Sequence, residues 1–68
     1  MVVRSVLERY VGKACKLTVR PGRENLYFTV HTVLAVDDKH IIFLDRNMNE
    51  YTFLVGDVQE VSEVKTYG

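Results

Sequence analysis

The chain has a single cysteine, Cys15, among its 68 residues. An internal disulfide is therefore excluded, and neither His31 nor His40 has a second histidine or a cysteine at metal-ligand spacing. A domain this small buries only about 60% of the surface of its unfolded chain, so it usually needs a disulfide, a metal ion or a partner chain for stability. With disulfide and metal excluded, we expect no cofactor and we expect self-association.

Long apolar runs and an export signal are lacking as well. The longest unbroken apolar segments span residues 33–36 and 41–44, far short of the ~20 residues that cross a bilayer. No apolar stretch near the N-terminus is followed by a small-residue cleavage site. We therefore expect a cytoplasmic protein without membrane contact, and the free cysteine agrees with that compartment.

Enzyme motifs are absent too: the sequence has neither a glycine-rich phosphate loop nor a histidine–carboxylate–nucleophile set. Asp37 and Asp38 are adjacent, so on a strand they would point to opposite faces, which suits paired acid–base chemistry poorly. The sequence therefore indicates a protein that is not an enzyme.

The charges sum to zero but are unevenly distributed. Residues 1–23 hold six basic side chains and one acid, whereas residues 24–68 hold three basic and eight acidic side chains. Such asymmetry suits head-to-tail contact between copies or a basic patch for an anionic partner. If folding mixes the charges, the asymmetry has no such meaning.

Apolar residues near the N-terminus recur at helical spacing: Val3, Val6, Leu7, Tyr10 and Val11. The pattern predicts a short helix over residues 5–12. Ser5 followed by Glu8 fits a capping box, and Gly12 stands where a left-handed C-cap residue belongs. We expect the apolar stripe of this helix to lie on a sheet.

Segments in which apolar and polar residues alternate, or in which all residues are apolar, predict strands. These lie at about residues 14–20, 26–36, 41–44, 51–55 and 60–65. Cys15 lies on the buried side of the first strand, so its thiol is expected to be packed and unreactive. Residues 33–36 are all apolar, so apolar side chains there point to both faces of the strand. This predicts a second strand that is buried on both faces at its far end and strongly bent or bulged. Valines three residues apart after Asp57 predict a 3₁₀-like turn before the last strand. The fold class is therefore mainly β, a single domain over residues 1–68 with a strongly bent, five-stranded antiparallel barrel.

Residues 37–44 and 54–57 carry a resemblance to a known family. Asp37, Ile42 and Leu44 match the first motif of the Sm-like (Sm, LSm and Hfq) proteins, whereas His40 and Ile41 replace its Met and Asn. The second motif keeps its glycine and the polar residue after it, but Val55 replaces its Arg. The likeness spans nearly the whole chain and implies a small Sm-like, SH3-like barrel.

The resemblance implies a homo-oligomeric ring that binds RNA or single-stranded nucleic acid. In the family the motif Asn and Arg lie near an RNA base, but Ile41 cannot hydrogen-bond and Val55 has no charge. His40 is still able to stack on a base, and Lys39 to contact phosphate. The nucleic-acid candidates are Asp37, Lys39, His40, Gly56, Asp57, Lys16, Arg20 and Arg23.

The family's ring closes when the fourth strand of one subunit pairs with the fifth strand of the next. The implied interface candidates here are Tyr51, Phe53, Val55, Val61 and Val64. Three alternatives stay open: residues 37–40 form only a tight turn, the barrel is an assembly module without nucleic acid, or the fold is an SH3-type barrel.

Overall fold

The computed structural model describes residues 2–64. The elements in chain order are α1 (Arg4–Glu8), β1 (Cys15–Val19), β2 (Leu26–Val36), β3 (His40–Asp45), β4 (Glu50–Leu54), a 3₁₀ turn (Val55–Asp57) and β5 (Val58–Glu63). The prediction of a mainly β domain with a short N-terminal helix and five antiparallel strands is confirmed. The last strand begins two residues before the expected residue 60, and position 65 of the expected strand lies outside the described residues.

The five strands form one antiparallel sheet in the order β4-β3-β2-β1-β5. Within residues 2–64, β4 and β5 are the two edges and do not pair with each other. The sheet is therefore open, and the closed barrel expected from the sequence is not reached in the single chain.

Two bulges bend β2 as it passes β3. The register shifts between Val30 and Thr32 and again between Val33 and Ala35, so β2 carries an extra residue at each place. Because each bulge reverses the alternation of faces, Val30, Val33 and Val36 all turn to the interior although they are three residues apart. The bend expected from the loss of alternation in this strand is present.

The bend curls the sheet until non-adjacent strands touch. The ring of Phe28 on β2 lies with its centroid 4.9 Å from that of Tyr51 and 5.4 Å from that of Phe53, both on β4. Phe43 on β3 completes this group of four aromatic rings. These four rings, named here the aromatic cluster, fill the interior on the β4 side.

A third bulge shapes β5. Val19 pairs with Val58 while Thr18 pairs with Glu60, so Gln59 is the extra residue. Val58 and Val61 therefore face the core together, which explains their spacing of three. The expected 3₁₀ turn exists, but it precedes these valines, at Val55–Asp57.

The helix is shorter than the expected residues 5–12, and its predicted capping box is wrong. The N-cap is Val3, which makes no side-chain cap bond, and the Glu8 carboxylate instead accepts a hydrogen bond from Arg4 Nε. Gly12 adopts the expected left-handed conformation, with φ of +79°, but the C-cap of the helix is Arg9, so Gly12 does not cap it as predicted. Only the middle of the predicted stripe packs on the sheet, with Leu7 fully buried.

The far end of β2 is not buried on both faces as expected. Val33 is buried, but Leu34 remains 43% exposed and Ala35 is also exposed. No second layer covers the outer face of β2 and β3 within the described residues, so Leu34 and Ala35 meet solvent.

Candidate nucleic-acid interface and sheet edges

The turn between β2 and β3 is held by Asp37. Its carboxylate Oδ1 accepts hydrogen bonds from the backbone N–H groups of Lys39, at 2.8 Å, and His40, at 2.6 Å. The Asp37 N–H donates to the His40 carbonyl at 2.9 Å. Asp38 pairs with Arg4 from the helix. This geometry matches the turn interpretation of residues 37–40. The Lys39 side chain is exposed, whereas His40 Nδ1 lies 3.7 Å from Asp37 Oδ1.

The backbone donors of the turn lower the pKa of Asp37. The hydrogen bond from His40, then that from Lys39, holds the pKa of this carboxyl below its ordinary 3.8. A carboxyl whose pKa is lower in the folded protein stabilises the fold above its unfolded pKa. That contribution is lost as the pH falls through the folded pKa.

We therefore expect Asp37→Ala to lower the urea midpoint of unfolding at neutral pH. The deficit should shrink as the pH falls below 3.8, because the unfolded wild-type chain then binds a proton at this carboxyl, and the contribution of the charge is fully lost below the lower pKa of the folded protein. Asp37→Asn keeps an acceptor oxygen without the charge and is the matched control. Its urea midpoint should lie between those of the wild-type protein and Asp37→Ala. A deficit that is equal at neutral and acid pH would contradict this role for the charge.

The turn and the 3₁₀ segment are joined through the backbone. The Val55 N–H donates to the Lys39 carbonyl at 2.7 Å, and the Arg20 N–H donates to the Asp57 carbonyl at 2.8 Å. The structure thus brings the two motif segments and the end of β1 together at one end of the sheet. We name Lys39, His40, Gly56, Asp57 and Arg20 the loop cluster.

The two positions at which the resemblance implies contact with an RNA base are core positions in this chain. Ile41 is 0% and Val55 8% exposed, so neither side chain is available to a ligand. Gly56 has no positive φ, and a Cβ at that position would meet open space. A glycine is thus not required there by the backbone.

The other basic candidates do not all converge on the loop cluster. Arg20 Nη2 donates to the Arg23 carbonyl at 3.1 Å, within the β1–β2 loop. Lys16 lies on the outer face of β1, where it borders a shallow groove of about 300 Å³ together with Glu60. Of the three, only Arg20 adjoins the 3₁₀ turn.

A cleft that the sequence pattern did not reveal separates the helix end from the end of β5. It has a volume of about 380 Å³ and is lined by Val6, Arg9, Tyr10, Lys13, Ala14, Glu63 and Val64. Arg9 and Lys13 are four residues apart, a spacing that could have indicated a shared basic face. Val64, expected at the oligomer interface, lies in this cleft instead.

The free edge of β4 follows from its pairing with β3. Val55 bonds to Lys39, and Phe53 and Tyr51 occupy the equivalent positions opposite Ile41 and Phe43. Backbone groups alternate in direction along an antiparallel pair, so those of Glu50, Thr52 and Leu54 point away from β3. These three residues present the unpaired N–H and C=O groups of the edge.

The expected interface residues of β4 and β5 lie along the opening of the curled sheet. Tyr51, Phe53 and Val61 are half-buried and packed against the core. Val55 is buried and bonded to Lys39, so it belongs to the core of the single chain rather than to a free surface. The backbone edges and these half-buried side chains form the surfaces open to pairing.

Cys15 is fully buried, and burial raises the pKa of its thiol to about 11. Because the thiolate is the reactive species, we expect no reaction with dithionitrobenzoate in the native protein at mildly alkaline pH. One thiol per chain should react after denaturation. A Thr18→Cys variant, half-buried on the outer face, provides the accessible control, and rapid native labelling of Cys15 would contradict its packed position.

Comparison of the chain with protein-family models, curated proteins and solved structures found no match. Among residues 2–64, no helix is long and apolar enough to cross a membrane. No group of three or more His, Cys, Asp or Glu side chains in that part of the chain is placed to hold a metal ion.

Proposed function

We propose that this chain is the subunit of an Sm-like homo-oligomeric ring that binds RNA or single-stranded nucleic acid. In this assembly, β4 of one copy pairs with β5 of the next, and each sheet is completed into a barrel by its neighbour. The observation that carries the proposal is that the curled sheet ends in two unpaired strands, β4 and β5.

The character of the two edges supports strand pairing between copies. An exposed edge is a template for another strand, and strand addition gains its affinity from main-chain hydrogen bonds. β4 contains neither proline nor lysine, whereas β5 carries the bulge at Gln59 and the charges of Glu60 and Glu63, which restrict the partners that its edge accepts. Pairing would also cover Tyr51, Phe53 and Val61, which the single chain leaves half-buried. A heterologous contact of this kind forms a ring when its rotation closes.

Light scattering of the purified protein tests the ring. We expect a mass that is a defined multiple of the 7.9 kDa chain and does not fall on dilution through the micromolar range. A mass equal to one chain at high concentration would overturn the proposal.

The loop cluster is the proposed nucleic-acid surface. Lys39 offers a cation for phosphate and His40 an imidazole for stacking, while Arg20 adjoins the same 3₁₀ turn. Repetition around a ring would present these groups many times on one face. With Ile41 and Val55 buried, binding is expected to rest on phosphate contacts and stacking rather than on base-edge hydrogen bonds.

Titration of uridine-rich and adenine-rich oligonucleotides against the ring tests whether the loop cluster binds nucleic acid. We expect micromolar binding that weakens steeply with salt, and weaker binding by Lys39→Ala than by Lys16→Ala. Binding that is lost equally in both variants would place the site elsewhere.

A ring that binds neither oligonucleotide would favour an assembly module instead. One observation favours that candidate: the loop cluster is electrically mixed, because Asp38 and Asp57 lie beside Lys39 and Arg20. Absorbance ratios before and after nuclease treatment separate the two functions, since only the first expects co-purifying nucleic acid.

A further inference from the structure

The cleft beside Arg9 has two cations in its wall that pair with no carboxylate of residues 2–64. Arg9 and Lys13 line its helix side and Glu63 its strand side, and the cleft encloses about 380 Å³. Both cations are exposed. The ion pairs within residues 2–64 take only Arg4 and His40 as basic partners. Arg9 and Lys13 therefore keep their charged groups open to a ligand.

The end of the helix does not engage these two cations. Basic side chains near a helix C-terminus commonly donate to its last carbonyl groups. Here the carbonyls of Val6, Leu7 and Glu8 accept backbone N–H groups from the residues three positions later, at 3.0–3.3 Å. Because these acceptors already have backbone donors, capping of the helix does not account for Arg9 and Lys13.

The backbone on both sides of the cleft is fixed by the sheet. The Gly12 N–H donates to the Val33 carbonyl at 2.8 Å, and the Val33 N–H donates to the Lys13 carbonyl at 3.2 Å. On the other side, Glu63 of β5 pairs with Cys15 of β1. A cleft whose walls are already held in place loses less conformational entropy when a ligand binds.

The charges in the wall favour an anionic ligand, because two cations face one carboxylate. Glu8 keeps its charge as well, but it lies beside Arg4 and does not line the cleft. The guanidinium of Arg9 can bind two phosphate oxygens at once, and the ammonium of Lys13 adds a point charge. A phosphate group therefore matches the helix side of the cleft.

The rest of the wall suits a flat ring and hydroxyl groups. Tyr10 is half-buried and packed against the core, and Val6 and Val64 are half-buried beside it in the same wall. The carboxylate of Glu63 accepts hydrogen bonds and repels further negative charge. The cleft volume lies at the lower end of the range of about 300–1,000 Å³ that is typical of small-molecule sites.

We propose that this cleft binds a small phosphate monoester that carries a flat ring and hydroxyl groups, the chemistry of a nucleoside monophosphate. The phosphate lies between Arg9 and Lys13, the flat ring lies against Tyr10, and a hydroxyl donates to Glu63. Each part of this ligand thus has a matching group in the wall.

The cleft is separate from the loop cluster, because the two lie at opposite ends of the β1–β5 pair. Ala14 borders the cleft, whereas Arg20 bonds to the 3₁₀ turn. The six residues that separate them along β1 correspond to about 20 Å, at ~3.3 Å for each residue. The proposal therefore rests neither on the ring nor on nucleic-acid binding by the loop cluster.

Titration of the isotope-labelled protein with adenosine monophosphate, followed by nuclear magnetic resonance, tests the inference. We expect the amide signals of Lys13 and Glu63 to shift and to saturate, while those of Lys39 and His40 stay in place. Inorganic phosphate and adenosine each supply only part of the ligand. Each should bind at least about tenfold more weakly, since each lacks contacts to one side of the cleft.

Variants of the two cations give the matched comparison. Arg9→Ala and Lys13→Ala should each weaken binding of adenosine monophosphate about tenfold, because each removes a charge-assisted hydrogen bond. Lys16→Ala removes an exposed cation of β1 outside the cleft, and it should leave binding unchanged. Lys39→Ala should also leave it unchanged, so this proposal and the proposed function fail separately.

Four results would overturn the proposal. The first is the absence of saturable shifts at millimolar adenosine monophosphate. The second is shifts confined to Lys39 and His40, which would place the ligand at the loop cluster. The third is inorganic phosphate that binds as tightly as the nucleotide, which would mark a plain anion site. The fourth is an equal loss of binding in Lys16→Ala, which would trace the effect to overall charge.

Discussion

The free energy of unfolding is expected to fall by about 3–5 kcal/mol when Phe43 is replaced by alanine. Phe43 is 0% exposed, and its ring centroid lies 5.1 Å from that of Phe28 and 5.6 Å from that of Tyr51. Removing it leaves a cavity in the middle of the aromatic cluster. Domains have roughly 0.05–0.15 kcal/mol of stability per residue, so this loss should leave much of the variant unfolded.

Urea unfolding followed by far-ultraviolet circular dichroism gives the size of the effect. Phe43→Leu, which keeps most of the apolar volume, should lose much less than Phe43→Ala. Met48→Ala, at an exposed loop position, should change the midpoint little. If Phe43→Ala lowers the free energy of unfolding by less than about 1 kcal/mol, the range of ordinary substitutions, the aromatic cluster does not stabilise the curled sheet.

The oligomer mass is expected to fall to that of a single chain when Thr52 is replaced by proline. The Thr52 N–H points away from β3, so proline removes an edge donor without removing a bond to β3. Edge strands tolerate proline for this reason. Sedimentation velocity measures the mass, and the dichroism spectrum shows whether the fold is retained.

Thr52→Val is the matched control because it keeps the N–H and the branched shape. It should keep the wild-type mass, so a collapse in both variants would trace the effect to the side chain. A Thr52→Pro protein that remains folded at the wild-type mass would show that β4 is not the pairing edge.

The fold was predictable wherever a local pattern determines the structure. Alternation placed β1, and the loss of alternation in β2 indicated its bend. The end of the helix was mispredicted, because its C-cap is Arg9 and not Gly12. The bulges themselves were not predictable, because they depend on which residue of the neighbouring strand is skipped. Val58 and Val61 illustrate this: their spacing of three implied a helical turn, yet both lie on β5, with the extra residue Gln59 between them.

Burial at the far end of β2 was mispredicted for a different reason. Leu34 and Ala35 are apolar, and a pattern of apolar residues at both parities is typical of a strand covered on both faces. Within residues 2–64 no second layer supplies that cover. Apolar residues pointing to both faces therefore do not by themselves show that a strand is buried on both faces.

The candidate site was predictable in part. The motif resemblance indicated residues 37–40 and 54–57, and the backbone bond from Val55 to Lys39 brings these segments together. Sequence could not show that Ile41 and Val55 are buried, since apolar residues in a motif suit either a core or a ligand surface. The cleft beside Arg9 was missed because its walls come from the two ends of the described chain.

Amide hydrogen exchange at Thr52 and Leu54, measured by nuclear magnetic resonance, tests the pairing of β4 with β5 most directly. These N–H groups have no partner in the single chain, so only pairing with another copy slows their exchange. Edge pairing predicts that both amides are protected in the wild-type protein and that Leu54 loses its protection in Thr52→Pro. Unprotected exchange at both amides under conditions where Phe43 is fully protected would contradict the ring.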